Sequence, residues 1–205
     1  MTAPSRRLLI LFAHPAFHKS RANQLLLSSI QSMAGVTIND LYESYPNFHI
    51  NIDREQALLL EHDVIVFQHP FYWYSSPAIL KQWEDLVLEY GFAYGKNGTQ
   101  LNGKLFLTAI STGGPSVAYQ RDGQNYFTVR ELLAPFEQTA RFCGMTYLPP
   151  FVVPGVLFME SEAELLTYGS AYRRALEALR DGTIELSELM KLDTLNDAVA
   201  LLPTP

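Results

Sequence analysis

Three short segments of the sequence carry residue types that could bind a ligand, and each follows an apolar run. Residues 14–23 combine histidine, serine and asparagine side chains with basic residues in an otherwise acidic protein. Residues 69–76 contain four consecutive aromatic residues, and residues 111–119 begin with Ser-Thr-Gly-Gly-Pro. Cationic and polar groups suit an anion, aromatic rings suit a flat π-system, and glycine lets the backbone approach a ligand closely.

The first of these segments leads from a predicted strand into a predicted helix. A helix start offers unpaired backbone N–H groups and the positive end of the helix dipole, which together suit a phosphate. Ser20 and Asn23 can add side-chain hydrogen bonds, while His14, Lys19 and Arg21 supply positive charge. Ser20 could equally serve only as a helix N-cap. Since the segment lacks both the P-loop motif and a G-x-G-x-x-G motif, neither a nucleoside-triphosphate site nor a dinucleotide Rossmann site is indicated.

The second segment places four aromatic side chains directly after a buried strand. Consecutive residues point in several directions, so the four rings cannot all belong to the core. They suit the face of a flat heterocycle whose polar edges bind backbone N–H groups. The alternative is an aromatic patch at a dimer surface, and both hold if the ligand lies at that interface. The four residues are Phe71, Tyr72, Trp73 and Tyr74.

The third segment offers bare backbone to a ligand. Its two glycines permit a positive φ and a close approach of the main chain, although an ordinary turn would explain them as well. The position of this segment after a predicted strand favours a binding function. The candidate residues are Ser111, Thr112, Gly113 and Gly114.

Short apolar runs alternate along the chain with apolar residues at helical spacing. This alternation predicts an α/β, flavodoxin-like fold: a doubly wound, five-stranded parallel sheet of order 2-1-3-4-5 with helices on both faces. The crevice outside the carboxyl ends of strands 1, 3 and 4 would then bring the three segments together. The predicted strands are Leu8–Ala13, Val36–Leu41, Val64–Phe67, Lys104–Ile110 and Tyr147–Val153.

Helix signals mark two of the connecting segments. Ser76 as N-cap and Pro77 at the first helical position predict a helix that ends at Gly91. Farther along, one apolar stripe from Val129 to Cys143 predicts a single helix.

The chain is predicted to form one domain over residues 1–205, because its length suits a single domain. A capping box at 161–164 begins the last long helix, and Gly182 ends it. Residues 183–205 form a C-terminal tail that is predicted to be partly helical.

Composition excludes several classes of protein. A net charge of −6 argues against a nucleic-acid partner. A single cysteine, Cys143, excludes a disulfide framework and is expected to be a buried core thiol. No apolar run reaches the roughly 18 residues of a membrane helix, so no direct membrane insertion is expected. We expect no metal site, and His49 and His62 are predicted to be surface or turn residues.

Together, the three segments supply a phosphate pocket, an aromatic wall and a backbone edge. These match the phosphate, the isoalloxazine face and the pyrimidine edge of flavin mononucleotide (FMN). Main-chain donors near the pyrimidine edge would stabilise the negative charge of a reduced flavin.

The same segments resemble a known family. His14-Pro15, Ser20–Asn23, Phe67–Lys81 and Ser111–Gly114 are similar to motifs of the flavodoxin-like NAD(P)H:quinone oxidoreductases, and the resemblance extends over residues 7–181. In particular, the chain resembles the ancillary flavoproteins of bacterial glutathione-gated potassium-efflux systems. The segments shared with that branch are Asp40–Tyr42, Tyr45-Pro46, Phe48–Asp53 and Pro149–Phe151.

The resemblance implies a homodimer with a flavin in each of two sites near the subunit interface. The aromatic residues 71–74 would meet the isoalloxazine, and residues 111–114 would meet its pyrimidine edge. FMN is favoured over the alternative, FAD, because the first segment is longer than in the mammalian branch. The residues that would hold the phosphate or the ribityl chain are His14, Ser20, Arg21, Ala22 and Asn23.

One residue of the chain takes the place of a catalytic family residue. Tyr119 matches a family tyrosine that hydrogen-bonds near O2 or N1 of the flavin, where a phenol could stabilise the charge shift as hydride arrives. Mammalian quinone reductases have a histidine six residues later, whereas this chain has Asn125. Because an amide has no accessible pKa, a Tyr–His relay is not expected, and solvent would supply the proton.

The resemblance implies an NAD(P)H dehydrogenase (quinone) that moves a hydride from NADH or NADPH through its flavin to a quinone or a similar electrophile. One shared pocket implies ping-pong kinetics. An alternative is a regulatory ancillary subunit of a membrane potassium–proton antiporter, with catalysis secondary; another is a one-electron carrier like flavodoxin. We expect a cytoplasmic protein that reaches the inner membrane only through a protein partner.

Overall fold

A parallel β-sheet forms the centre of the computed structural model, which describes residues 5–202. The strand order is β2-β1-β3-β4-β5, and a further strand, β6, also pairs with β4. This order confirms the predicted flavodoxin-like topology, with one strand more than predicted. The strands are β1 (Leu8–Phe12), β2 (Val36–Asp40), β3 (Val64–Pro70), β4 (Leu105–Ser111), β5 (Thr146–Tyr147) and β6 (Phe151–Val153).

Helices cover both faces of the sheet, which is why β1, β3 and β4 are buried along their whole length. Leu9 and Leu11 face a core that includes α3, α4 and α6, whereas Leu8 and Ile10 face α1 and α7. The helices are α1 (Arg21–Ile30), α2 (Leu41–Ser44), α3 (Ile52–Glu61), α4 (Ala78–Val87), α5 (Val129–Leu132), α6 (Ala134–Phe142), α7 (Glu162–Asp181) and α8 (Leu186–Leu189).

The long helix α7 begins and ends where the sequence predicts. The Ser161 side chain accepts a hydrogen bond from the backbone N–H of Glu164, and Gly182 ends the helix in the left-handed conformation. Helix α7 packs closely on α1 at Gly169, because a Cβ there would lie 3.2 Å from Cγ of Leu25.

The predicted fifth strand over Tyr147–Val153 is wrong, because this segment forms the two short strands β5 and β6. Both pair with β4 at the edge of the sheet, as expected from the prolines. Pro149 and Pro150 have no backbone N–H to donate, so the ladder is interrupted between the two strands.

Two predicted helix boundaries also need correction. Helix α4 begins at Ala78 with Pro77 as the N-cap residue, so Ser76 does not cap it, and it ends at Val87 rather than Gly91. The stripe from Val129 to Cys143 forms two helices, α5 and α6, which are separated at Leu133. Pro135 explains this break, since a continuous helix would need its N–H to bond the carbonyl four residues earlier.

Three residues outside the sheet differ in how well the sequence predicted their burial. Cys143 is buried, as predicted, and His49 is exposed. His62 was expected at the surface, but it is buried. Its Nε2 lies 2.7 Å from Oγ1 of Thr37 and its Nδ1 lies 2.6 Å from the carbonyl of Leu58, so the ring connects α3 to β2.

The tail folds back onto the sheet edge. The side-chain amide of Asn196 bonds both backbone groups of Val152, at 2.8 and 2.9 Å, and Leu195 N donates to the Pro150 carbonyl at 2.8 Å. The ends of the predicted domain, residues 1–4 and 203–205, lie outside the described residues. Across residues 5–202, every helix is too short or too polar to cross a lipid bilayer.

Candidate functional site

The three candidate segments meet in a cleft of about 480 Å³ at the carboxyl ends of β1, β3 and β4. Of the predicted site residues, Asn23, Tyr74, Thr112, Gly114 and Tyr119 do not line the cleft itself. Sequence reasoning missed several wall residues, because their side chains arrive from the turn after β6 and from α7. The predicted residues on the wall are His14, Ser20, Arg21, Ala22, Phe71, Tyr72, Trp73, Ser111 and Gly113, and the unpredicted ones include Val156, Leu157 and Leu165.

Helix α1 presents its N-terminus to the cleft. Ser20 Oγ accepts a hydrogen bond from Asn23 N at 3.2 Å, so Ser20 is the N-cap residue. The N–H groups of Arg21 and Ala22 have no acceptor within the helix, because they belong to its first turn. Two N–H groups at the positive end of the helix therefore remain available to an anion.

Asn23 lies completely buried beneath this helix start. Its Nδ2 donates to Ser20 Oγ at 3.1 Å and to Ser111 Oγ at 3.0 Å, which joins the first segment to the end of β4. Its Oδ1 is buried and has no partner among residues 5–202.

The three basic groups of the first segment differ in their environments. Burial lowers the pKa of His14, whose Nδ1 accepts from Ala16 N at 3.1 Å, so this ring is neutral near pH 7. The guanidinium of Arg21 donates to the carbonyl of Met159 at 3.1 Å and still lines the cleft, and Lys19 is exposed beside it. Positive charge at the cleft thus comes from Arg21 and Lys19.

The aromatic segment forms a tight turn, Tyr72–Ser75, which we term the aromatic turn. Ser75 N donates to the Tyr72 carbonyl at 3.0 Å, and Trp73 and Tyr74 have φ values of 51° and 62°. Two consecutive non-glycine residues with positive φ are strained, and such strain clusters at functional sites. Phe71 is buried, whereas Trp73 is 93% exposed, so the rings do point in different directions.

The third segment, Ser111–Gly114, is termed the Gly113 segment below. Backbone hydrogen bonds hold it against β6 and against the turn that follows β6. Thr112 N donates to Val153 O at 2.9 Å, and Gly155 N donates to Gly114 O at 2.8 Å. A Cβ at Gly113 would lie 3.0 Å from Leu157 Cδ1, at the cleft wall. Because Gly113 has no Cβ, its backbone can lie close to a ligand in the cleft.

Tyr119 is buried beside Phe71, with the ring centroids 6.4 Å apart. Burial raises the pKa of its phenol above the usual range, so Tyr119 keeps its proton near pH 7 and can donate it in a hydrogen bond. Asn125 makes a different contact: its Oδ1 accepts from the Tyr74 hydroxyl at 3.0 Å. This bond joins the aromatic turn to the segment that follows Tyr119.

Two further buried polar side chains lie at the end of β3 and were not predicted as site residues. Gln68 Oε1 accepts from the Tyr172 hydroxyl at 3.1 Å, while its Nε2 has no partner among residues 5–202. His69 Nδ1 lies 3.0 Å from the Pro70 carbonyl, and its buried Nε2 also has no partner there. Burial lowers the pKa of His69 to about 4, so the ring is neutral. The signal in the sequence was two polar residues at the end of an apolar strand.

The chain is similar to proteins of known fold along most of its length. Residues 6–176 match the family model Flavodoxin_2, described as a flavodoxin-like fold. The glutathione-regulated potassium-efflux system ancillary protein KefG of Cronobacter sakazakii is 46% identical over 176 residues, which cover 86% of this chain and 95% of that protein.

Two solved structures extend these similarities. The general stress protein 14 of Treponema denticola, in complex with FMN, is 38% identical with a TM-score of 0.79, covering 84% of this chain and 99% of that one. An NADPH-quinone reductase from P. pentosaceus is 34% identical with a TM-score of 0.75, covering 82% of this chain and 96% of that one.

Proposed function

Since the chain belongs to the Flavodoxin_2 family of flavodoxin-like proteins, we propose that it is an FMN-dependent NAD(P)H:quinone oxidoreductase whose cofactor binds in the cleft. One observation carries this proposal: the start of α1, the aromatic turn and the Gly113 segment surround a single cleft. The FMN complex of the similar Treponema denticola protein supports FMN, and the quinone reductase from P. pentosaceus supports the reaction class.

The residues at the cleft fit FMN part by part. The first-turn N–H groups of α1, with Arg21 and Lys19 beside them, suit the phosphate. Asn23 lies beneath the cleft and bonds Ser20 and Ser111, so it holds these two hydroxyl groups at the cleft wall, where they can bond the phosphate or the ribityl chain. The aromatic turn suits the isoalloxazine face, and the Gly113 segment, including Ser111, Thr112 and Gly114, suits the pyrimidine edge.

Bound FMN would supply two-electron redox chemistry between NADH or NADPH and a quinone. The role that we assign to Tyr119 is to donate a hydrogen bond where negative charge develops at the pyrimidine edge. Its raised pKa suits this role, because the phenol stays neutral and keeps its donor proton. Asn125 cannot exchange a proton near pH 7, so we propose that solvent supplies the proton to the product.

The single cleft also bears on the order of substrate binding. Beside FMN the cleft would hold one further flat ring at a time, so nicotinamide and quinone would use it in turn. We therefore propose ping-pong kinetics. A homodimer is part of this proposal, because four large apolar side chains near the cleft are exposed in the single chain. They are Trp73, Val117, Leu157 and Phe158.

The test is to purify the protein, release its cofactor and identify it by mass, which separates FMN from FAD. Oxidation of NADH and NADPH is then followed with and without menadione, and initial rates are measured over both substrate concentrations. We expect FMN and parallel double-reciprocal lines. A protein that neither binds flavin nor oxidises either nicotinamide would reject the proposal.

A second candidate function has its own support in the 46% identity to KefG, an ancillary protein of a potassium-efflux system. In this function the chain binds a membrane potassium–proton antiporter from the cytoplasmic side and promotes its activity, with catalysis secondary. Its acidic net charge of −6 fits contact with a protein partner better than contact with an anionic lipid surface.

Co-purification with the antiporter, followed by potassium-efflux assays, tests this second function. Tyr119→Phe serves as a variant that impairs hydride transfer without altering the exposed surface, because Tyr119 is buried. If efflux activation persists in a variant whose quinone reduction is lost, the regulatory function is separate from catalysis. If the protein does not bind the antiporter, the second function is rejected.

A further inference from the structure

A second cavity, of about 450 Å³, lies between α4 and α6 and shares the aromatic turn with the cleft. Residues 71–73 line the cleft, whereas residues 74–76 line this second cavity. The two cavities have no lining residue in common. A volume of this size suits a small organic molecule.

One carboxyl group in the second cavity lacks a partner. The Glu84 carboxyl makes no hydrogen bond and no ion pair with any residue of 5–202. Lys81, which also lines the cavity, pairs instead with Asp85. Burial raises the pKa of Glu84 to about 7, which shows how poorly its surroundings stabilise the charged form.

Aromatic rings make up much of the remaining wall. Tyr94 and Phe142 contact each other with centroids 5.1 Å apart, and Tyr74 and Phe136 also line the cavity. Aromatic faces carry partial negative charge and attract cations. The only cation among the lining residues is Lys81, which is already paired.

A carboxylate without hydrogen-bond donors favours a cationic ligand, and a wall of aromatic rings favours one as well. We propose that the second cavity is a binding site for a small organic ammonium ion, an amine on an aromatic or aliphatic body whose N–H groups donate to Glu84. The net charge of −6 favours a cationic ligand over an anionic one. The second cavity is separate from the cleft, because no residue lines both, although the aromatic turn contributes to each.

Isothermal titration calorimetry with benzylamine tests the proposal, and benzyl alcohol is the neutral control of similar size. We expect saturable binding of benzylamine and at least tenfold weaker binding of benzyl alcohol. Glu84→Gln should weaken benzylamine binding at least tenfold. Glu89→Gln, which removes the same charge from an exposed carboxylate outside the cavity, should change the affinity less than twofold.

Circular dichroism and thermal melting establish that each variant is folded. Glu84→Gln removes a poorly solvated charge, so it is expected to fold at least as well as the wild type. Absence of saturable benzylamine binding to the wild-type protein would overturn the proposal. Equal affinities for amine and alcohol, or an affinity unchanged by Glu84→Gln, would overturn it as well.

Discussion

Glu55 and Asn23 are both completely buried, but the protein provides every hydrogen-bond partner for only one of them. The Glu55 carboxylate accepts from Asn39 Nδ2 and Trp83 Nε1, both at 2.8 Å, and from Tyr45 and Arg54. The buried Oδ1 of Asn23 has no partner within residues 5–202. All three unpartnered buried side-chain atoms described there belong to Asn23, Gln68 and His69, at or near the carboxyl ends of the strands.

This difference separates a structural cluster from a binding site. Buried polar groups are almost always hydrogen-bonded, since an unpaired one costs about 1–3 kcal/mol. The cluster around Glu55 joins β2, α2, α3 and α4 and is complete without a ligand. Asn23 instead keeps an unpaired acceptor beneath the cleft wall and bonds Ser20 and Ser111, which line the cleft, and that is the pattern expected of the layer that supports a cofactor site.

The largest effect is expected from Glu55→Ala. This change leaves the side-chain donors of Asn39, Trp83 and Tyr45 without their acceptor, and breaking a buried charged network typically costs about 3–5 kcal/mol. Urea unfolding followed by circular dichroism measures the loss. If the free energy of unfolding changes by less than about 1 kcal/mol, the Glu55 cluster is not the structural element described here.

Glu84 extends the comparison, because it is a half-buried carboxyl that lacks the donors of Glu55. Its pKa is raised from 4.5 to about 7 in the folded protein, so between these values the folded state binds more protons than the unfolded chain. The free energy of unfolding should therefore fall as pH rises from 5 to 8, by about 1–3 kcal/mol from this group.

Unfolding curves of wild type and Glu84→Gln at pH 5 and pH 8 isolate this contribution. Lys81 and Asp85 on α4 are the charged neighbours, and the Cys143 thiol on the facing segment has a pKa raised by burial and stays neutral. Glu84→Gln should gain more stability at pH 8 than at pH 5. An equal gain at both values would contradict the prediction.

Asn23→Ala and Asn39→Ala form a matched pair on the two sides of the comparison. Asn23→Ala removes the hydrogen bonds that hold Ser20 and Ser111 at the cleft wall, so FMN binding should weaken about fivefold, which corresponds to about 1 kcal/mol. Asn39→Ala should lower the free energy of unfolding and leave the FMN affinity within twofold. Fluorescence titration gives the FMN affinity of each variant, and urea unfolding gives its free energy of unfolding. If Asn39→Ala weakens FMN binding more than Asn23→Ala does, the assignment of the two regions is wrong.

The smallest effect is expected from Trp73→Ala. Stacking on the isoalloxazine contributes about 0.5–1.5 kcal/mol, so FMN affinity should fall several-fold, and FMN should raise the melting temperature less than in wild type. Tyr126→Ala is the control, because Tyr126 is also exposed and also has a positive φ but does not line the cleft. Equal effects of the two changes would contradict the stacking assignment.

The sequence predicted the sheet order and the three segments of the cleft because these depend on local patterns. Apolar runs and turn residues identify strand ends, and parallel connections bring those ends together. It did not predict that His62 is buried, that Pro135 divides the helix over 129–143, or that Tyr147–Val153 forms two strands. Burial depends on distant elements, such as the tail that covers β6 through Asn196, and no local pattern reports such contacts.

Titration of FMN into cofactor-free protein, followed by quenching of the flavin fluorescence, tests the central claim most directly. The account predicts saturation at one FMN per chain and an affinity that falls in Asn23→Ala and Trp73→Ala but not in Asn39→Ala. Fluorescence that does not saturate, or that titrates identically for the wild type and all three variants, would contradict the assignment of the cleft to FMN.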